Sequence, residues 1–502
     1  MNTGMIPDIY RILPEVVLTI TGVLIMLLDA AMPPASSRRG LGWVGTFGVM
    51  AAIWASLFQL SLPAGTAFYN TVQTDAFSVF FHVLICAIVL VCLLIALDAL
   101  PAQQHHRGEL FALMVFGAVG MCLMTSAVEL LVVFISLEIS SISTYVLAGY
   151  RKHTGKSPEA AIKYFLLGSF ATGFLLYGVA LIFGATGTTQ LNEIAQAIPH
   201  AKSPQLVLAA LALLLVGILF KVSAAPFHVW TPDVYEGSPS PVVALMSTAP
   251  KAAAFAILLR VLYSSFPMLQ SLWTPLLWGI AILSMTIGNL AALRQENVKR
   301  MLAYSSIAHA GYLLAAFAGL GSTGIAPAAF YIAAYSAMNV GIFAVVTVVS
   351  GYEEQLPLIG DFRGLIYRSP LLGCLLIFFL SSLIGIPFTA GFFGKFYAFS
   401  VALKGGAVWL GIIGLLNSGL AAAYYLRFAV TAAQPPASGA SKVTPKIGLA
   451  VATALAFCVF ATLVLGIAPS RVLSAAQAGG FSLSHPPVAQ THPVPDNVRW
   501  VR

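Results

Sequence analysis

The sequence predicts an all-α integral membrane protein that crosses the lipid bilayer about 14 times. Hydrophobic residues make up 59% of the 502 residues and charged residues only 8%, whereas soluble domains are about one-quarter charged. The mean hydropathy of +0.91 is correspondingly high. Apolar segments of roughly 20 residues, the length that a helix needs to cross a hydrocarbon core of about 30 Å, recur along the whole chain.

These segments predict four regions in chain order. Spans 1–3 fall in residues 1–105, spans 4–8 in residues 106–265, spans 9–13 in residues 266–432, and span 14 with a tail in residues 433–502. The 14 predicted spans are 12–31, 41–62, 76–98, 109–127, 130–150, 158–185, 205–225, 240–263, 272–292, 299–320, 325–350, 370–386, 406–430 and 447–468. Span 1 is a full-length span, so we expect it to be retained and not removed as a signal peptide.

Lysine and arginine predict the orientation of the spans. The loops after odd-numbered spans carry most of them: Arg38, Arg39, Arg107, Arg151, Lys152, Lys156, Arg294, Lys299, Arg300, Arg363, Arg368, Arg427, Lys442 and Lys446. By the positive-inside rule these loops face the cytoplasm, which places both termini on the outer side. The formal net charge of +8 mostly reflects this bias, so it predicts no nucleic-acid partner.

A few charged or titratable residues lie inside the apolar spans. A charge at the centre of a span costs about 2.5 to 3.5 kcal/mol on insertion scales, so such residues usually serve a function. The candidates are Glu138, Lys163, Lys221, Lys251 and Lys395, with His228 and His309 as companions. Lys163 lies near a span end, where snorkelling to the interface is an equal alternative to function. For Asp29, Glu129 and Arg260 we expect snorkelling.

Span 7 contains proline at a depth where a helix is expected. In "LFKVSAAPFHVWTPDVYEGSPSPV", residues 219–242, Pro226 and Pro232 cannot donate to the helical hydrogen-bond ladder. The helix is therefore predicted to break near 225–230, in surroundings of protein or water. Desolvation disfavours the charged form of a lysine, so Lys221 beside this break is predicted to exchange its proton. A packing kink would explain the proline but not the lysine.

Span 12 shows the same arrangement. In "SSLIGIPFTAGFFGKFYAF", residues 381–399, Pro387 and Phe388 interrupt the helix and Lys395 follows. Short sequence similarities between the two regions support a duplication. "SSIS" at 140–143 resembles "SSIA" at 305–308, and Tyr164 and Ser169 correspond to Tyr331 and Ser336. Spans 4–8 and 9–13 are thus predicted to be two copies. Five is an odd number, so the second copy is inverted, and inverted repeats with broken helices are typical of transport folds.

Four stretches resemble a known family: "YRKHTGKSPEAAIKYFLLGSFATGFLLYGVALIFGATGT", "FKVSAAPFHVWTPDVYEGSPSPVVALMSTAPKAA", "NVKRMLAYSSIAHAGYLL" and "GIPFTAGFFGKFYAF". They are similar to the antiporter-like, proton-translocating subunits of respiratory complex I and to their multisubunit Na⁺/H⁺ antiporter relatives. The resemblance covers residues 75–430. The lysine at position 395 resembles the N-type branch of this family, whereas the M-type branch has glutamate at this position. The chain also lacks the long lateral helix of the L-type branch. Many relatives have a second proline where this chain has Phe388, so a softer break is expected.

The resemblance implies a role for each candidate. Glu138 looks like the acid paired with Lys221, Lys251 like the central proton relay, and Lys395 like the terminal site. His228, His309 and Lys163 are secondary relay candidates. The physical expectation is a charge relay, in which opening of the Glu138–Lys221 pair pushes a proton towards Lys251.

No cofactor is predicted in this chain. The five cysteines lie singly in apolar spans, and no metal-ligand or nucleotide-binding motif is present. His485 and His492 in the tail are too sparse for a metal site, and the tail is expected to be extended. The resemblance implies flavin, iron–sulfur clusters and quinone in other subunits, sister antiporter-like subunits as partners, and the bacterial inner membrane as the location. A cation/proton antiporter, a hydrogenase-type membrane arm and a structural scaffold remain alternatives.

Overall fold

The structure is a computed structural model that describes residues 5–33, 36–99, 108–318, 322–351, 354–436 and 446–484. Within these residues the protein consists of 21 α-helices, five short 3₁₀ segments and one two-stranded sheet. The predicted fold class, an all-helical membrane protein, is confirmed. Arg107, Lys442, His485 and His492 lie outside the described residues, as does most of the predicted extended tail.

The N-terminal region contains five helices and a small hairpin. The helices are α1 (Met5–Arg11), α2 (Leu13–Ala31), α3 (Arg39–Phe58), α4 (Ala76–Ala99) and α5 (Gly108–Ser126). Between α3 and α4, strands β1 (Gly65–Ala67) and β2 (Val72–Thr74) pair antiparallel, with Gly65 opposite Thr74 and Ala67 opposite Val72. The sequence analysis missed this hairpin, because three-residue strands carry too little alternation to be recognised.

The next region contains the first broken helix. Its helices are α6 (Leu130–Ala148), α7 (Lys156–Thr186), α8 (Leu191–Ala197), α9 (Pro204–Val222), α10 (Thr231–Gly237), α11 (Ser240–Met246) and α12 (Ala249–Ser265). Helix α9 ends because Ser223 adopts a left-handed conformation with φ of 62°. Residues 223–230 are non-helical, so the predicted break in span 7 is confirmed.

The last region contains the second broken helix. Its helices are α13 (Gln270–Leu293), α14 (Val298–Ala315), α15 (Ile325–Ser350), α16 (Leu365–Arg368), α17 (Pro370–Ile384), α18 (Ala390–Lys404), α19 (Val408–Ala433), α20 (Leu449–Ile467) and α21 (Pro469–Ser484). Helix α17 ends at Gly385, with φ of 97°, and Phe388 adopts φ of 65°. The expectation of a softened break was wrong. Proline cannot adopt a positive φ, whereas Phe388 can, and the interruption is complete.

The predicted spans agree with the observed helices. Among the described residues, 13 helical segments are long and apolar enough to cross a membrane. The remaining predicted span, number 12, is divided between α17 and α18, and α17 alone has only 15 residues. Spans 7 and 8 are likewise divided, into α9 with α10 and α11 with α12. Fourteen crossings therefore account for the described chain.

Polar contacts at the helix ends agree with alternating crossings. Asp98 at the end of span 3 accepts a hydrogen bond from the amide of Val451 at the start of span 14, at 3.0 Å. On the opposite side, Arg260 at the end of span 8 pairs with Asp75 just before span 3. Each contact joins two span ends that lie on the same side of the membrane if successive spans cross it in opposite directions. An even number of crossings also puts the two ends of the described chain on one side.

Helix α21 was not predicted. It follows span 14 and packs against the ends of α4, α12 and α15. The contact is close because a Cβ on Gly479 would lie 3.2 Å from the Cα of Phe77. The first part of the C-terminal segment is therefore a helix along one membrane surface.

The centre of the protein is formed by α12, α14 and α15, which are almost completely enclosed by other helices. These three helices nevertheless carry buried polar side chains, including Lys251, Ser306, His309, Tyr331 and Tyr335. Buried polar groups are costly unless they are hydrogen-bonded. The most enclosed helices therefore position the candidate site.

Candidate functional site

Lys221 lies in the last turn of α9 and is only 3% exposed. Its ammonium donates to the Ser141 hydroxyl at 3.0 Å and to the Tyr164 hydroxyl at 3.3 Å. It also lies 5.8 Å from the centre of the Tyr145 ring, which is within cation–π range. The lysine is thus surrounded by hydroxyl groups and aromatic rings.

Glu138 lies one helical turn before Ser141, a partner of this lysine, but forms no ion pair with the lysine in the described structure. No ion pair within 4.0 Å joins Glu138 and Lys221 in the described structure. Glu138 precedes Ser141 by three positions on α6, so both occupy one helix face. One carboxylate oxygen of Glu138 is buried without a hydrogen-bond partner among the described residues. In the described structure Lys221 therefore bonds to Ser141 on the same helix and not to Glu138.

The break in span 7 is held open by specific contacts. The amide of Ala225 donates to the Ser284 hydroxyl at 2.8 Å, and the indole of Trp230 donates to the Phe220 carbonyl at 3.1 Å. The Trp230 ring stacks on Tyr164 with 4.4 Å between ring centres. Side chains therefore satisfy backbone groups that the helix leaves free.

His228 lies inside this break and is partly buried. Its Nδ1 atom is buried without a hydrogen-bond partner in the described part of the chain. The hydrogen-bond partners of Lys221 in the described structure are Ser141 and Tyr164, so no hydrogen bond joins His228 to this lysine.

Lys251 lies in the first turn of α12, directly after Pro250, and is 3% exposed. Its ammonium donates to the Ser306 hydroxyl at 2.5 Å and to the Ser306 carbonyl at 3.2 Å. Tyr335 donates to the same Ser306 hydroxyl at 2.8 Å. Lys251 has no acidic partner within 4.0 Å in the described structure, so α14 and α15 supply its polar surroundings.

His309 lies on α14 one turn after Ser306 and is fully buried. Its Nδ1 atom is 3.1 Å from the Tyr331 hydroxyl, and its Nε2 atom is 3.2 Å from the Tyr425 hydroxyl. The centre of its ring is 5.0 Å from that of Tyr335. His309 therefore connects the surroundings of Lys251 to a group of tyrosines.

Lys395 lies in α18, after the second break, and is 5% exposed. Its ammonium donates to the carbonyls of Leu383 and Ile384, both at 2.9 Å, and to the Ser418 hydroxyl at 2.8 Å. These carbonyls belong to the last turn of α17, where helical acceptors have no backbone partner. The lysine also lies 5.2 Å from the centre of the Tyr312 ring.

Several buried polar atoms near these groups have no hydrogen-bond partner among the described residues. They include Ser140 Oγ, Ser223 Oγ, Thr231 Oγ1, the Tyr235 hydroxyl and Asn339 Oδ1. An unsatisfied buried polar group costs about 1 to 3 kcal/mol, and bound water commonly satisfies such groups. Water bound beside these atoms would satisfy them.

Lys163 belongs to a different group of charges. It forms ion pairs with Glu159 at 2.7 Å and with Asp233 at 2.8 Å, and its side chain is 42% exposed. Arg300 pairs with Asp233 at 2.6 Å and with Glu236 at 3.2 Å. The group lies at the membrane surface, away from the three enclosed lysines.

The sequence analysis missed a buried charge cluster around Glu354, in the loop after α15. Its carboxylate accepts hydrogen bonds from Arg151, Lys299 and both the amide and the hydroxyl of Ser240. Burial alone would raise the pKa of Glu354, but the positive charges of Lys299 and Arg151 outweigh it and hold this pKa below its ordinary value. The cluster joins two loops to the first turns of α11 and α14 on one side of the membrane.

The expectation for Arg260 was wrong. Its side chain is 1% exposed and forms a two-point ion pair with Asp75 at 3.1 Å, and its Nε donates to the Thr125 carbonyl. The guanidinium also packs over Phe77, 4.9 Å from the ring centre. Asp75 is far from Arg260 in the sequence, so the sequence did not indicate this pair. The position of Arg260 near a span end alone suggested snorkelling.

Another buried pair escaped the sequence analysis. His82 Nε2 lies 3.4 Å from a carboxylate oxygen of Glu15 and 3.0 Å from the carbonyl of Cys122. The Ser126 hydroxyl donates to the same Glu15 oxygen at 3.2 Å. Glu15 was overlooked because it lies close to the start of span 1, where an acid usually reaches water.

The described residues include no group of three or more His, Cys, Asp or Glu side chains that could hold a metal ion. All five cysteines are free thiols, and Cys86 and Cys122 lie 3.9 Å apart between sulfur atoms. The absence of a cofactor in this chain stays a prediction.

Comparison with known proteins identifies the family. Residues 127–421 match the family described as "NADH:quinone oxidoreductase/Mrp antiporter, TM". The chain is 50% identical over 474 residues to NADH-quinone oxidoreductase subunit N 2 of Koribacter versatilis, covering 93% of this chain and 96% of that protein.

Solved structures support the same conclusion. A chain of respiratory complex I from Thermus thermophilus with bound aureothin is 37% identical, with a TM-score of 0.79 over 93% of this chain and 100% of that one. A chain of the Mrp complex from Dietzia is 22% identical with a TM-score of 0.79, over 94% of this chain and 98% of that one, and shows the fold alone. The chain therefore belongs to the NADH:quinone oxidoreductase/Mrp antiporter family of membrane subunits, in its NADH-quinone oxidoreductase subunit N branch.

Proposed function

We propose that this chain is the proton-translocating N-type subunit of a bacterial NADH:quinone oxidoreductase, and that protons move along its buried polar axis. The observation that carries the proposal is the succession of polar groups across the membrane interior, from Lys221 through Lys251 and His309 to Lys395. A charge in the hydrocarbon region is costly. Three enclosed lysines with hydroxyl partners have no purpose in a purely structural scaffold.

The first part of the path runs from Glu138 to Lys251. Glu138 lies one turn before Ser141 on α6, and the Ser141 hydroxyl accepts from Lys221 and donates to the Leu137 carbonyl. Rotation of this hydroxyl towards Glu138 would connect the acid to the lysine. The unpartnered Tyr235 hydroxyl lies on α10, which packs against α14. Water beside this hydroxyl would complete the connection to Lys251.

The second part of the path runs from Lys251 to Lys395. Lys251 and Tyr335 share the Ser306 hydroxyl, and His309 follows one helical turn later on α14. Imidazole can donate and accept at its two nitrogens, and both nitrogens face tyrosine hydroxyls. Tyr331 connects this histidine to α18, since it packs against Gly394 beside Lys395.

The energy for transport must come from other subunits. Moving one charge against 100 mV requires about 2.3 kcal/mol, and this chain carries no recognisable redox-cofactor motif. We infer that flavin, iron–sulfur clusters and quinone reside in partner subunits, which include sister antiporter-like subunits. By the positive-inside rule, the lysine- and arginine-rich loops support a cytoplasmic location for the Glu354 side and a periplasmic location for both termini.

The proposal can be tested with two matched lysine variants on one helix. Lys395 is buried in α18, whereas Lys404 ends the same helix and is exposed. In the purified complex reconstituted into liposomes, Lys395→Met should lower NADH-driven proton uptake at least tenfold, whereas Lys404→Met should leave it unchanged. Equal proton uptake in both variants, at equal amounts of assembled complex, would contradict the proposed path.

The same liposomes separate the cation antiporter from the proton pump. Proton uptake driven by NADH should persist in sodium-free buffer with potassium as the only alkali cation. Uptake that requires sodium would instead assign the chain to a cation/proton antiporter function.

A further inference from the structure

An apolar groove separates the C-terminal helix pair from the central helices. It has a volume of about 640 Å³ and lies between α4, α15, α20 and α21. Its walls are formed by side chains such as Val79, Val83, Ala337, Val340, Phe460 and Val464. Nothing in the proton path uses this groove.

The groove extends deep into the membrane from the α21 side. Along α4 its lining runs from Ala76 to Val91, which corresponds to about 22 Å at 1.5 Å per residue. Half of the hydrocarbon core is only about 15 Å thick. The groove therefore covers the full depth of one lipid leaflet.

The mouth of the groove carries a positive charge. Arg471 lies in the first turn of α21, lines the groove and is exposed. Its guanidinium makes no hydrogen bond or ion pair with any residue in the described ranges. Arginine binds phosphate oxygens through two parallel hydrogen bonds. An apolar groove with a free guanidinium at its surface end matches the two chemical parts of a phospholipid.

The chemistry of the lining argues against an extended peptide as the occupant. An extended peptide would leave its backbone groups unpaired, because the lining offers almost no polar atom. Ser336 is the polar side chain at mid-depth, and its hydroxyl already donates to the Ile332 carbonyl at 2.8 Å.

We propose that the groove binds an acyl chain of an anionic phospholipid whose phosphate pairs with Arg471. The lipid belongs to the leaflet on the α21 side. It fills the space behind α15, whose Tyr331 and Tyr335 hydroxyls face the proton path. The bound lipid thereby supports the helix that carries these two hydroxyls.

The test uses the purified complex in nanodiscs that contain phosphatidylglycerol with a photoreactive group on its acyl chain. After illumination, mass spectrometry of peptides should locate the label on residues 457–465 of α20. Arg471→Gln should lower this labelling at least fivefold, because the phosphate loses its partner. Ala337→Phe should abolish it, because the larger side chain fills the groove. Lys202→Gln, which removes an exposed charge elsewhere, should label like the unmodified complex.

Two results would overturn the proposal. One is absence of label on residues 457–465 in the unmodified complex, which is also the result expected if a neighbouring subunit covers the groove. The other is equal labelling of the Arg471→Gln and unmodified complexes, because the headgroup would then have no specific site.

Discussion

Replacing Lys251 with arginine keeps a positive charge at the centre of the proposed path but prevents its release. The Lys251 ammonium is 3% exposed and bonds to Ser306 on α14. The ordinary pKa of arginine exceeds that of lysine by about 2 to 3 units, which corresponds to about 3 to 4 kcal/mol. Proton release from the Lys251→Arg variant should therefore be slower by a factor of about 100 to 1,000.

The assay compares membranes that contain equal amounts of assembled complex. Proton translocation is followed with a pH-sensitive dye, and electron transfer is followed as quinone reduction by NADH. Both rates should fall at least tenfold in Lys251→Arg and in Lys251→Ala, because a blocked relay stalls the reaction that drives it. Lys163→Ala should retain most activity, since Lys163 is part of a surface ion-pair group.

Two controls separate chemistry from packing. Arginine is larger than lysine, and overpacking a core costs about 1 to 3 kcal/mol. Lys251→Met has nearly the size of lysine without its charge, so it should assemble normally and still fail to pump. An arginine variant that pumps at the unmodified rate would show that Lys251 supplies only a fixed charge, and the relay role would be abandoned.

Three further predictions concern buried acids and their partners. Glu138→Gln should lower proton pumping without loss of assembly, because it removes a buried charge; normal pumping in the assembled variant would contradict its role. Glu354→Ala should destabilise the protein by about 3 to 5 kcal/mol, because two buried cations lose their partner, and a thermal melt can measure this. The lowered pKa of Glu354 means that its stabilisation is present above the unfolded pKa of about 4.3 and is lost as the pH falls through the folded value. Arg260→Met should be similarly destabilising, whereas adding Asp75→Leu should restore stability; a double variant no more stable than the single one would contradict this.

Features that depend on local chemistry were predictable from the sequence. Proline removes a backbone donor wherever it occurs, so both helix breaks could be placed near Pro226 and Pro387. Lys221 and Lys395 could be recognised beside these breaks, and Lys251 could be recognised inside span 8. The length of each apolar segment was enough to place the spans, because a hydrocarbon core fixes the length of a helix.

Features that depend on distant partners were not predictable. Arg260 and Asp75 are 185 positions apart, so nothing near Arg260 in the sequence indicated a buried pair. Glu354 lies in the loop between spans 11 and 12, yet it contacts Arg151 from another loop and Lys299 from the first turn of α14. In both cases the fold brings together charges that each segment alone would direct towards water.

The two broken helices hold their lysines in different ways, and this difference constrains how each proton can leave. Lys395 follows its break and reaches back to the carbonyls at the end of α17. Carbonyl oxygens only accept hydrogen bonds, so they hold the ammonium but cannot carry its proton onward. Lys221 precedes its break, and its partners Ser141 and Tyr164 are hydroxyls that can both accept and donate. Lys221 thus has a path through its own partners, whereas Lys395 must pass its proton through Ser418 or water.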